Sequence, residues 1–542
     1  MPTVLPDPFY YLENFRQVLD WVGTRHADLL DARETGFITG FHALPRPAQA
    51  LLVRMVMRKG DLFRASKLDY AEIGATAPLL ALLAERDLID AAPELTLEEL
   101  FAMLRKDELQ AIFGGRGQRK DELLESLQPQ FPEAHRLQEW QADFEDNICR
   151  LLNTDIFDRL RLMFFGNLHQ DWSEFVLTDL GLLHYEPVEI SASSRAFQQR
   201  EEVDAWLYLH GCRTRFEEGE NLQAVLADIP ASPYANTWLE ERRARLLFSL
   251  GQQLEREKNW SSALSVYAQS RHPDAQLRSV RVLEQNGDIE AAHVAASILQ
   301  AQSSREEDQQ QLARSLPRLR RKLGLPRQSE TTLISPERRD ITLEPMADLS
   351  VEFRLREHLH SEDAPVFYVE NALINSLFGL LCWPAIFAPL PGAFFHAFHY
   401  GPVDLHHPDF RARRETEFRC CLAQLESDAY KTSILEHWHS KQGRQSPFVF
   451  WDVLDENLLQ LALDCIPPAH LRALFERLLG DIRSNRSGFP DLIQFWPQEK
   501  RYLMLEVKGP GDRLQDNQSR WLDYCARHGI PVAVSHVSWA HV

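Results

Sequence analysis

Residues 488–508 read GFPDLIQFWPQEKRYLMLEVK, two runs rich in aromatic and branched side chains on either side of a turn signal at Pro497 to Lys500. The pattern predicts a β-hairpin. With the turn there, Trp496 faces Arg501, and counting back in antiparallel register sets Asp491 opposite Glu506, their Cβ atoms about 4.5–5.5 Å apart. Strand alternation puts Lys508 on the same face as Glu506 and sends Leu503, Leu505 and Val507 to the other, core-facing side. Carboxylates opposed across a strand pair repel, so a sheet that keeps them needs a reason, and a divalent cation between them supplies one. Carboxylates, a backbone carbonyl and water suit Mg²⁺ or Mn²⁺, and no His or Cys stands at zinc-ligand spacing here. Lys508 is placed to hold or deprotonate an attacking water and to offset charge developing on a phosphate.

Downstream, the turn Gly509 to Gly511 leads to a helix near 516–527, one face of which carries Gln518, Trp521, Leu522 and Cys525. Gly529 closes that helix, and Pro531 to Val537 returns as a strand. This is a β-α-β crossover, which adds a parallel strand to the hairpin and predicts a mixed sheet flanked by helices. Gln518, one turn before Trp521, reads either as a neighbour of the reactive groups or as an amide bonding the backbone at the edge of the core. Upstream, a helix is expected over Val366–Cys382, its apolar stripe running Val366, Val369, Leu373, Leu377 and Leu380, with Glu370 at the edge. A carboxylate there needs a metal or an arginine, and Arg411, Arg413 and Arg414 are the available arginines. The Ser-, Thr- and Pro-rich stretch 328–345 reads as a linker.

The first half is almost entirely helical in pattern. AQALLVRMVMRKG and APLLALLAERDLID flank a basic turn, in an order that suits either a winged-helix-like module or a plain helical bundle. Residues 96–128 give two short helices around a Gly-rich basic loop containing Arg116, Arg119 and Lys120, with Thr96 and Glu99 forming a capping box. From about 200 to 325 helix follows helix, and LEREKNWSSALSVYAQS is echoed about 28 residues later, pairing Trp260 with Asp288 and Ala263 with Ala291. The run 314–327 is strongly basic.

The chain has 542 residues, 59 Lys+Arg against 79 Asp+Glu and a net charge of −20. That length predicts several domains, and the bulk charge argues against a polyanionic partner unless a local basic surface meets it. Residues 471–542 do carry a net +2. Seven scattered cysteines without a C-x-x-C pair fit reduced thiols, and no targeting or membrane-spanning segment is evident, so a cytoplasmic protein is expected.

The string SGFPDL, EVKGPGDRL, Q-x-x-W and PVAVSHV resembles the VRR-NUC domain of the PD-(D/E)xK nuclease superfamily. The preceding segments are similar to the SAP and TPR-like regions of the Fanconi-associated nuclease family, in the same order. The resemblance implies a multidomain chain: a helical DNA-binding region over 1–135, a TPR-like array over 136–335, and an α/β restriction-endonuclease-like domain over 336–542. It implies a structure-selective DNA nuclease, a 5′-flap endonuclease with 5′-to-3′ exonuclease action, working in DNA repair such as that of interstrand crosslinks. Glu370, Asp491, Glu506 and the Val507 carbonyl would hold one or two Mg²⁺ or Mn²⁺, while Lys508 and Gln518 would serve catalysis. Arg483, Arg486, Arg513 and the SAP-like loop would meet phosphates, the array would offer a surface to proteins, and a monomer is expected. Two rival readings are a repair scaffold that has lost catalysis and a junction-resolving or restriction-type nuclease working as a symmetric dimer.

Overall fold

The computed structural model describes residues 7–115, 117–170, 183–303, 305–326, 336–344 and 349–540. The chain forms two compact units, one of Met1–Leu183 with Phe197–Val203 and one of His184–Ala196 with Asp204–Val542.

In the first unit, helices Tyr10–Arg25, Arg46–Val56 and Thr154–Phe165 bury Leu12, Phe15, Val18, Leu51 and Leu160. A three-stranded antiparallel sheet completes it, with Ile148–Leu151 between Leu62–Arg64 and Ile89–Asp90. The central strand comes from far downstream, so the start of the chain is a helical module with a small sheet and not a plain bundle. The segment between Ile89–Asp90 and Ile148–Leu151 holds the SAP-like module. Its expected two helices are three, Leu97–Met103, Lys106–Phe113 and Lys120–Leu127, because the chain turns extended at Leu104 and Arg105. The Thr96–Glu99 capping box is present, with Thr96 N–H donating to Glu99 at 2.9 Å and Glu99 N–H to Thr96 at 3.2 Å.

In the second unit a helical array runs through Thr237–Arg256, Trp260–Gln269, Ala275–Asn286, Ile289–Gln302 and Glu306–Lys322. The helices after Asn259 and Asp288 begin 29 residues apart. The close-packing alanine equivalent to the buried Ala263 is therefore Ala292, also fully buried, whereas Ala291 faces water. Hairpins pack tightly here. A Cβ on Gly251 would lie 2.5 Å from the Tyr267 ring.

The same unit contains a five-stranded mixed sheet of β1 (Glu337–Leu343), β2 (Val366–Tyr368), β3 (Leu492–Trp496), β4 (Arg501–Lys508) and β5 (Val532–Trp539). The strand order is β1-β5-β4-β3-β2; β5 runs parallel to β1 and β4, while β3 is antiparallel to β2 and β4. Two expectations fail here. Residues 337–343 form an edge strand and not a linker, because their alternating pattern has only one buried end, Leu343, to signal a strand. Val366–Tyr368 is also a strand, and the helix begins only at Leu373. Pairing with β3 overrides the helical spacing of its apolar residues.

The sheet is covered on both faces. Leu492, Leu503, Leu505 and Val507 pack with Leu355 of helix Val351–Leu359 on one side. Ile493, Phe495, Tyr502 and Met504 join the larger core of helices Leu373–Leu381, Glu456–Cys465 and Pro468–Gly480 on the other. The face shared by Glu506 and Lys508 is thus also a core face, because β4 lies at the middle of the sheet.

Candidate active site

The hairpin register is as expected. Trp496 pairs with Arg501 and Leu492 with Leu505, which sets Asp491, just ahead of β3, across from Glu506. Asp491 Oδ2 accepts the Val507 N–H at 2.8 Å, and its own carbonyl accepts the Val369 N–H at 2.8 Å. These bonds fix Asp491 between β4 and the turn carrying Glu370. Glu506 is fully buried and Asp491 is 6% exposed. Lys508 Nζ stands 2.7 Å from Glu506 Oε1 and donates to Gln518 Oε1 at 3.0 Å. Glu506 Oε2 has no hydrogen-bond partner among the described residues.

Burial, reinforced by the Asp491 charge, raises the Glu506 carboxyl to about 7 against the pull of Lys508. Burial likewise raises Asp491 to about 6, with the Val507 N–H opposing it and Glu370 adding to it. A buried carboxylate oxygen without a donor is costly in any fold. Opposite a second carboxylate, it is a donor set that a divalent oxygen-seeking cation fits.

Glu370 is exposed on the turn between β2 and helix Leu373–Leu381, and not in a helical apolar stripe. Its carboxylate accepts from the Tyr368 hydroxyl and, at 3.2 Å, from Asn371 Nδ2. None of the three candidate arginines holds it. Arg414 forms a two-pronged pair with Asp404 at 2.8 Å, Arg413 joins the same carboxylate, and Arg411 pairs with Glu476 at 2.8 Å. With Glu370 turned onto Tyr368 and Asn371, no three acidic, His or Cys side chains among the described residues close on one point.

Asn371 was not singled out from sequence, yet it ties the Glu370 turn to the Asp491 loop. From a left-handed backbone, φ 51°, its side-chain oxygen accepts the Gly488 N–H at 2.8 Å and the Phe489 N–H at 3.2 Å. Asn375 adds a bond to the Arg486 carbonyl at 2.9 Å. The sequence signal is slight: an asparagine, a residue that tolerates positive φ, directly after an acidic residue.

Helix Asp516–Arg527 lies as read, with Trp521, Leu522 and Cys525 buried and the Trp521 ring centroid 4.0 Å from that of Phe489, the planes tilted by 31°. Gln518 fulfils both of its readings, since its amide oxygen accepts the Gln515 N–H at 2.9 Å and also Lys508. Much of the described part of the array's basic run is engaged within the molecule. Arg314 grips Asp516 at 2.5 and 2.7 Å, while Arg318 and Lys322 share Glu284.

The expected phosphate-facing residues divide. Arg513 and Arg483 are exposed, whereas Arg486 is half-buried, donating to the Pro447 carbonyl with its guanidinium 5.2 Å from the Phe448 ring. Arg119 pairs with Glu122 at 2.9 Å and Lys120 donates to the Leu104 carbonyl at 2.9 Å. Arg116 lies outside the described residues. His396 is buried and His399 half-buried beside it, and desolvation holds both below the ordinary imidazole range, His399 down to about 4.

Comparison with known proteins identifies relatives of the whole chain. Three family models match: a FAN1 HTH domain over residues 9–90, a Fanconi anemia-associated nuclease SAP domain over 94–140, and a VRR-NUC domain over 425–539. The chain is 55% identical to the Fanconi-associated nuclease 1 homolog of Pseudomonas aeruginosa, over 99% of this chain and 97% of that protein. It is 24% identical to the Oryza sativa homolog over 98% of its own length, spanning 63% of the plant protein. A crystal structure of paFAN1 bound to 2nt 5′ flap DNA with a gap superposes with a TM-score of 0.90 at 55% identity, covering 99% of this chain and 100% of that one.

Proposed function

The chain belongs to the Fanconi-associated nuclease family, and from that premise we propose that it is a structure-selective DNA nuclease that cuts 5′-flap and related branched DNA in repair. The observation that carries this reading is the buried pair Asp491 and Glu506, with Glu506 short of hydrogen-bond donors and Lys508 beside it. Asp491, Glu506, Glu370 and the Val507 carbonyl would hold one or two Mg²⁺ or Mn²⁺. When bound, such an ion supplies Lewis acidity at a phosphoryl oxygen and acidifies water. Asp491 is held rigid by the Val507 N–H, so its free oxygen keeps one direction. Lys508, steadied by Gln518, orients the attacking water and offsets charge on the phosphate.

The proposed division of labour follows the chain: DNA grip by 1–135, an array over 136–335 that steadies the nuclease and offers a surface to proteins, and chemistry in 336–542. Arg483, Arg486, Arg513, Arg116, Arg119 and Lys120 are the proposed phosphate contacts, through which a monomer would track DNA in the cytoplasm, at the nucleoid in a bacterium. No helix among the described residues is long and apolar enough to cross a membrane.

The test is cleavage of end-labelled 5′-flap, nicked and plain duplex DNA with Mn²⁺ by the wild type and Asp491→Ala. Flap cutting by the wild type alone, with DNA binding kept in the variant, is expected. Equal cutting by both would remove Asp491 from the chemistry, and no cutting by either would favour the scaffold reading.

A further inference from the structure

Helix Val351–Leu359 brings to the edge of the carboxylates an aromatic side chain that the proposed chemistry does not use. Phe353, the third residue of that helix after its Ser350 cap, remains 38% exposed. Its ring stacks on Tyr368, with centroids 5.3 Å apart and planes 23° from parallel. The Tyr368 hydroxyl in turn donates to Glu370. One stacked pair therefore runs from solvent to a candidate metal ligand.

The helix start is pinned to the site on its other side as well. A Cβ on Gly509, immediately after Lys508, would stand 3.2 Å from Val351 Cγ2. Leu355, fully buried, anchors the next turn against β4. Between Val351 and Phe353 sits Glu352, an acid in the same first turn. The first turn of this helix thus borders the reacting centre, with an acid and an aromatic ring at its tip.

An exposed ring there has a physical use. Cations and a bound metal act on the phosphates of an entering DNA strand, so a base beside the cut needs attraction of another kind. A flat aromatic face supplies that for any base, because every base has a π-face to stack. It also discriminates by shape, since only a base that has left its duplex neighbour can lie on it.

We propose that Phe353 is a stacking platform for a nucleobase of the strand being cut, within one nucleotide of the scissile phosphate, and so favours junctions with an unpaired base over uniform duplex. The inference rests on the nuclease reading above and goes beyond it by naming how the cut strand is held.

The experiment uses the full-length chain and 5′-flap DNA carrying 2-aminopurine at the nucleotide on either side of the mapped cut, bound in Ca²⁺, which supports binding with little cleavage. Quenching on binding at one of the two positions is expected for the wild type and for Phe353→Tyr. It should be absent in Phe353→Leu, which keeps an apolar side chain on Tyr368 but has no flat face. In Mn²⁺, kcat/KM of Phe353→Leu on the flap should fall roughly tenfold, with its melting temperature unchanged. Equal quenching in wild type and Phe353→Leu, or none at either position, overturns the proposal, as does a loss that follows only a lowered melting temperature. Wild-type cutting of the same flap in Mn²⁺ separates the two failures: if the wild type does not cut, the nuclease reading falls first.

Discussion

Glu506 and Asp491 titrate far above the ordinary carboxyl range of about 4 because they are buried and face each other. Without metal the folded protein therefore holds these protons more tightly than the unfolded chain does. Their contribution to stability is greatest near pH 4 and is lost as pH rises through about 6 and 7. Glu506→Gln removes the charge and leaves Lys508 its bond to Gln518, so in chelator it should melt higher than the wild type, by a margin that grows from pH 5 to pH 8. Added Mn²⁺ should stabilise the wild type and not the variant; a variant that melts lower at pH 8 would mean that the pair with Lys508 outweighs the repulsion. Glu370→Gln should cut activity roughly a hundredfold or more while leaving melting in chelator equal or raised, because Arg411, Arg413 and Arg414 are partnered elsewhere. A drop of several degrees would move Glu370 from the chemistry to the scaffold.

At the scale of elements, the site depends on a close passage between the loop ahead of β3 and helix Asp516–Arg527. Gly488 has φ +93°, and a Cβ there would come within 2.8 Å of the Asn517 backbone. Gly488→Ala should therefore destabilise by at least about 1–2 kcal/mol from backbone conformation alone. The clash adds to this and pushes the helix bearing Gln518 away from Lys508, so activity should fall further than stability explains. A urea melt beside kcat at a temperature where the variant stays folded checks this, and unchanged kcat would show that Gln518 need not approach so closely. The grip of Arg314 on Asp516 at the same helix start links the array to the nuclease sheet.

At the scale of the molecule, a chain of net charge −20 has to bind a polyanion through local positive surface. Many of its cations are already engaged internally, Arg314, Arg318 and Lys322 among them. Affinity for flap DNA should still fall steeply with salt, with a slope of several units in log K against log salt concentration, as phosphate contacts release counterions. Fluorescence anisotropy across a salt series measures this, and a flat response would falsify phosphate-led binding. Arg513→Ala should weaken binding on all sequences alike, since a phosphate contact carries no base information.

What the sequence determined by itself was local and periodic. The turn at Pro497 to Lys500 set the hairpin register, and strand alternation then placed Asp491, Glu506 and Lys508 together, because a strand's geometry leaves one choice once the turn is known. The Thr96–Glu99 cap and the inward face of helix Asp516–Arg527 were legible for the same reason. Where distant partners compete with local preference, the tertiary structure decided. Val366–Tyr368 has helical spacing but becomes a strand beside β3, Glu337–Leu343 looks like a linker but pairs with β5, and Ile148–Leu151 completes a sheet begun far upstream. The surroundings of Glu370 belong to the same class, as do Asn371 bridging to Gly488, Phe353 on Tyr368, and the internal partners of the basic run. Apart from the Glu370 turn, whose partners are close neighbours placed by the strand before them, each joins separate segments, and the free energy that selects them is burial and pairing across the fold, which local pattern does not encode.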